Sequence, residues 1–133
     1  MRQLRIILAI ATGVVLACLL WYVGVVVLML ATVGIPLGSE PRPLTATQFF
    51  LLLAFAAGAA AIGGRVAARI APQARRISIP VICVTLGGIM LWGFSGRNAW
   101  PAWWGPATAT AMMLGTWVGG ILGLRVRPDG RQP

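Results

Sequence analysis

From Thr45 to Pro72 the chain reads TATQFFLLLAFAAGAAAIGGRVAARIAP, an apolar run with no charge before Arg65. It is longer than a soluble protein needs and matches the roughly 20 residues that span a hydrocarbon core. Small residues recur in it at four-residue spacing. Ala56, Ala60, Gly64 and Ala68 make one ridge; Ala59, Gly63, Ala67 and Ala71 make the ridge beside it. In lipid, burying Leu against Leu gains nothing over burying it in acyl chains, so helices associate where small residues let backbones approach. The stretch is expected to be a transmembrane helix against which the others pack. Thr45 and Gln48 have the spacing of a capping box, and Leu44 and Phe49 that of a hydrophobic staple, so the helix should start at about residue 46. Arg65 and Arg69 mark its last two turns.

Composition supports a membrane solvent. Hydrophobic residues are 59% of the 133, and charged ones only 10%, against about 25% in a soluble domain. The net charge of +9 comes from eleven arginines, without lysine, set against Glu40 and Asp129. These arginines fall between apolar runs, without the interleaved aromatics of a nucleic-acid surface, so they read as topology markers and no nucleic-acid partner is expected. With no histidine or lysine in the chain, His-based haem, metal and proton-relay sites and a retinal Schiff base are excluded. Cys18 and Cys83 lie inside apolar runs, about 18 Å and about 9 Å from the cytoplasmic ends of their expected helices. That mismatch argues against a disulfide.

Ahead of this stretch, MRQLR leads into thirty residues without a charge, Ile6 to Ile35. A secretory signal has an apolar region of about 7–15 residues, so the run reads as a first, long helix ended by Pro36. Trp21 and Tyr22 fall near its middle, where their polar donors should face another helix. After the PQARR turn, Ser78 is a candidate N-cap, with Pro80 in the first turn of a third helix. Trp92, Trp100, Trp103 and Trp104 cluster where that helix ends. They read as interface anchors of an aromatic belt, or alternatively as a stacking platform for a ligand. Pro106 should start the fourth helix, along which Ala107, Ala111, Gly115, Gly119 and Gly123 form a doubled GxxxG ridge.

The expected fold is therefore all-α: one integral membrane four-helix bundle over residues 1–133. Its helices run over about 6–35, 46–71, 78–94 and 106–124, with a disordered tail over about 126–133. Nine arginines fall on one side of this layout, and only Arg42 and Arg97 on the other. The positive-inside rule then places both termini in the cytoplasm. Residues 62–72 also align with 118–128, matching Gly63 with Gly119, Gly64 with Gly120 and Arg69 with Arg125. This suggests a duplicated two-helix unit with an axis along the membrane normal. Helices 1 and 3 show no comparable match, which favours the simpler reading of two glycine-rich helices each stopped by arginine and proline.

The GGRVAARIA segment, the four-helix layout and the Trp/Pro-rich turn into a glycine-ending fourth helix resemble small, uncharacterised four-helix inner-membrane proteins of bacteria. The resemblance implies a multi-pass protein of the bacterial inner membrane. It brings with it no activity, catalytic residue or ligand.

The residues themselves narrow the chemistry. A proton-coupled exporter needs a carboxylate within a helix, yet Glu40 falls in a proline-rich loop and Asp129 in the tail. General acid–base and nucleophilic catalysis lack a tunable base. No catalytic residue, cofactor or metal is expected. Thr108, Thr110 and Thr116 should bond to backbone carbonyls or across helices. Arg65 and Arg69 should reach to the headgroups, or else contact an anion or lipid headgroup. The helix-packing set is Ala56, Ala60, Gly63, Gly64, Ala68, Gly115, Gly119 and Gly123, with Gly63, Gly64, Gly115 and Gly119 joining helices 2 and 4. What these features suit best is a non-enzymatic accessory or assembly subunit, or small regulator, docking on other membrane subunits or on itself. An oligomeric transporter or channel is the alternative.

Overall fold

The computed structural model describes residues 2–33, 44–94 and 101–125. They form α1 (Arg2–Val33), α2 (Ala46–Ile70), α3 (Arg75–Phe94) and α4 (Trp104–Arg125), with a 3₁₀ turn at Pro72–Ala74. The fold is all-α. Three helices, over Gln3–Ala31, Ala46–Ile70 and Arg76–Phe94, are long and apolar enough to cross a membrane. At 1.5 Å per residue, the 32 residues of α1 extend about 48 Å and the 20 residues of α3 about 30 Å. Pro36, Glu40, Arg42, Arg97, Trp100 and the 126–133 tail lie outside the described residues.

The helix starts show which local signals decide. Thr45 caps α2 as its spacing predicts: the Gln48 amide donates to Thr45 Oγ1 at 3.4 Å, and the Thr45 amide donates to Gln48 Oε1 at 2.8 Å. Leu44 and Phe49 each pack against the buried core. The start of α3 differs from expectation. The 3₁₀ turn, whose Ala74 amide bonds the Ala71 carbonyl at 3.1 Å, runs straight into the helix at Arg75. Ser78 is thus not an N-cap but a buried interior residue, and Pro80 is the sixth residue of its helix. α4 likewise starts at Trp104, two residues before Pro106. A proline in the first turn removes an amide that has no intrahelical partner anyway.

In cross-section the order is α1, α2, α4, α3. Paired positions give the directions. Gly115 lies on Ala57, and Gly119 on Ala61, so α2 and α4 run parallel; Gly24 on Phe55 and Gly13 on Ala67 make α1 and α2 antiparallel. Gly13 also reaches Ile82, bringing α1 and α3 together on the same side of the α2–α4 pair. A two-fold axis along the bundle would put α1 and α3 on opposite sides. The alignment of 62–72 with 118–128 is therefore not a symmetry of the fold, and the simpler reading of it stands.

Small residues fill the interior. Ala9, Ala17, Ala56, Ala60 and Ala67 are fully buried, with Leu52, Ile82, Leu86, Met112 and Trp104 among them. Large apolar side chains point outward instead, from Leu8, Leu19 and Val27 on α1 through Phe50 and Phe55, Val84 and Trp92, to Leu114 and Trp117 on α4. A soluble bundle buries such residues and keeps charged ones outside.

Candidate functional site: a glycine seam, a basic end and an aromatic end

The seam between α2 and α4 is the closest backbone approach among the described residues. A Cβ placed on Gly115 or Gly119 would overlap the backbone carbonyls of Ala57 and Ala61, and one on Gly64 would lie 2.5 Å from the Thr116 carbonyl oxygen. Only a residue without a side chain allows such an approach. Ala56, Ala60 and Ala68 are buried beside this seam, and Gly123 continues it against Ala68 and Arg65. Gly63 does not belong to it. Its face turns to α1, where a Cβ would meet the Gly13 carbonyl oxygen at 2.5 Å and the Ala17 methyl at 3.1 Å. Successive helix residues are about 100° apart, so Gly63 and Gly64 serve two different neighbours. The matching ridge of Ala9, Gly13 and Ala17 on α1 was legible at the same four-residue spacing but is not among the expected packing residues.

The threonine hydroxyls of α4, buried at Thr108 and Thr116 and exposed at Thr110, are spent on their own helix. Thr108, Thr110 and Thr116 each donate to the carbonyl four residues back, at 2.8, 2.8 and 2.9 Å. Cys83 Sγ reaches across to the Met113 carbonyl at 3.6 Å, and both cysteines are free. The Ser78 hydroxyl is fully buried without a hydrogen-bond partner among the described residues. No three His, Cys, Asp or Glu side chains among the described residues could hold a metal ion.

The amino ends of α1 and α3 and the carboxyl ends of α2 and α4 share one end of the bundle. Arg5, Arg65, Arg69 and Arg76 are exposed there. Two clefts flank the Pro72–Ala74 turn. One, of about 430 Å³, is lined by Pro72, Gln73, Arg76, Ile79, Trp117 and Ile121; the other, of about 400 Å³, by Arg5, Ile6 and Ile70 and again by Pro72 and Gln73. Arg65 and Arg69 line neither cleft. A third groove, of about 510 Å³, is wholly apolar and runs between α1 and α2 past Leu20, Leu51, Phe55 and Ile62. Gly58 lies in its wall, with nothing within 4 Å of where its Cβ would be.

The opposite end is aromatic. Phe49 meets both Trp103 and Trp104, at centroid distances of 5.3 and 5.0 Å, the two tryptophans stand edge-on to each other at 5.8 Å, and Phe94 meets Trp104 edge-on at 6.3 Å. Of the expected interface anchors, Trp92 and Trp103 are exposed, Trp92 by 83%, whereas Trp104 is 0% exposed. Trp104 is therefore a core residue, not a rim anchor. As the first residue of α4, its ring folds beneath the helix ends that carry Phe49 and Phe94. Trp21 is buried as expected, but Tyr22, one residue on, is 68% exposed. Adjacent residues on a helix cannot both face the same neighbour.

No family model, curated protein or solved structure matches the chain.

Proposed function

We propose that this chain is a multi-pass protein of the bacterial inner membrane with both termini cytoplasmic. In this reading it is a non-catalytic accessory or assembly subunit, or small regulator, that works through helix–helix contacts with a larger membrane complex. The observation that carries the reading is the reversal of side-chain size between interior and exterior. Alanine and glycine hold the helices together, and Leu, Val, Ile, Phe and Trp coat all four outer faces. Water gives such a surface no reason to exist; acyl chains and other transmembrane helices do. α4 crosses with the other three because it lies parallel to α2 along the glycine seam. The basic end faces the cytoplasm, where anionic lipid and the positive-inside bias favour arginine.

The accessory role is favoured over the oligomeric transporter by the filling of the bundle axis. Leu52, Ile82, Leu86 and Met112 occupy it with no ionisable group among them, so one copy encloses no conduit. The α2–α4 glycines are consumed by internal packing, whereas the apolar α1–α2 groove at Gly58 is a face open to a partner helix. Purification in mild detergent tests this. Co-purifying heterologous subunits, lost in Gly58→Leu while the bundle stays folded, are the expected result. A clean homo-oligomer that carries solute across liposomes by itself would establish the transporter instead.

A further inference from the structure

We propose that the cleft carrying Arg76 binds an anionic phospholipid, with Arg76 on the phosphate and Trp117 and Ile121 against the first part of an acyl chain. This inference rests on the membrane reading above. The cleft is amphiphilic in the order a phospholipid requires. Arg76 and Gln73 supply a cation and an amide at its outer edge, and Ile79, Trp117 and Ile121 supply an apolar wall. Trp117 is eight residues from the end of α4 at Arg125, so the wall extends about 12 Å inward from the basic rim. That is the direction in which an acyl chain descends from its headgroup.

Its volume of about 430 Å³ suits a headgroup and the carbons next to it. An arginine fork holds a phosphate through two parallel donors. Pro80 adds a second polar feature. It has no amide hydrogen, so the Arg76 carbonyl has no donor four residues ahead of it. An acceptor beside the phosphate position suits a headgroup that carries hydroxyls, and phosphatidylglycerol is the chemistry that combines both. A free phosphate would use the arginine but gain nothing from the Trp117–Ile121 wall.

The test titrates phosphatidylglycerol into the full-length protein held in phosphatidylcholine mixed micelles and follows the thermal unfolding midpoint. We expect a saturable rise. Half-saturation should need about ten times more lipid in Arg76→Gln, as loss of a charge-assisted contact implies. Arg131→Gln, which removes the same charge from the tail, should titrate like the wild type. Gln73→Glu, which sets a negative charge beside the phosphate on an exposed turn, should weaken the response without disturbing a helix. Trp117→Ala should weaken it too, and inorganic phosphate at matched concentration should give no rise. An Arg76→Gln protein that titrates like the wild type overturns the site. Equal weakening by Arg131→Gln reduces it to diffuse rim charge and also overturns it. A response to inorganic phosphate as large as that to lipid replaces the lipid with a soluble anion. The membrane reading fails separately, if alkaline carbonate washes the protein from membranes; a protein that stays put but ignores Arg76→Gln sinks the lipid site alone.

Discussion

Single positions in this molecule differ by what a methyl group would meet. At Gly119 it meets the Ala61 backbone, which cannot move without moving α2; at Gly58 it meets nothing within 4 Å. Gly119→Leu is expected to destabilise the bundle by about 3 kcal/mol, the upper end for overpacking. Gly58→Ala is expected to be neutral or stabilising by up to about 1 kcal/mol through helix propensity. Thermal unfolding of the two variants in one detergent checks the pair, and equal effects would place the seam elsewhere. Ser78 offers the opposite case, a buried hydroxyl whose bonding capacity is unused. Ser78→Ala should raise stability by about 1 kcal/mol, since a buried unpaired hydroxyl is penalised and its removal leaves a methyl of similar shape. A loss of stability in that variant would reveal an acceptor for the hydroxyl.

Among the helices, α2 shows what sequence can specify. Its start is fixed by groups three residues apart, so Thr45 and Gln48 could be paired by reading alone. Thr45→Ala should cost about 1 kcal/mol and speed amide exchange in the first turn of α2, with the rest of the helix unaffected. The start of α3 lies three residues before Ser78; Ser78 and Pro80 resemble a helix opening only in isolation. The preceding turn, not those residues, decides where the helix begins. Trp104 departs from its expected place at the rim for a related reason. Trp103 and Trp104 are neighbours in sequence, and only the packing of Phe49 and Phe94 on the second one marks it as the residue that goes inward. Trp104→Ala should therefore cost about 3–5 kcal/mol, whereas Trp92→Ala, at an exposed position, should stay within about 1 kcal/mol. Unfolding midpoints of the two variants separate a core residue from a rim residue directly. The two clefts beside Pro72–Ala74 were illegible for the same cause, since each joins residues from two or more separate segments of the chain.

At the scale of the whole molecule, the four apolar outer faces and the clustering of Arg5, Arg65, Arg69 and Arg76 at one end make orientation the first property to measure. A cysteine at Gln73 in a Cys18→Ala, Cys83→Ala background should react with impermeant maleimide only after spheroplasts are opened. Reaction in intact spheroplasts would reverse the proposed topology. The parallel pairing of α2 with α4 also imposes an order in time. The two halves of the α2–α4 seam are 58 residues apart, Ala57 with Gly115 and Ala61 with Gly119. At about 5–20 residues per second, a ribosome that has finished one half needs about 3–12 s to deliver the other. During that interval α2 lacks its main partner and leans on α1, through Gly63 on Gly13 and Phe55 on Gly24, and on α3 as it arrives. The α1–α2 hairpin, held through Gly13, Gly24 and Gly63, is thus the expected nascent-chain intermediate, with the face reserved for α4 open to any transmembrane helix that arrives first.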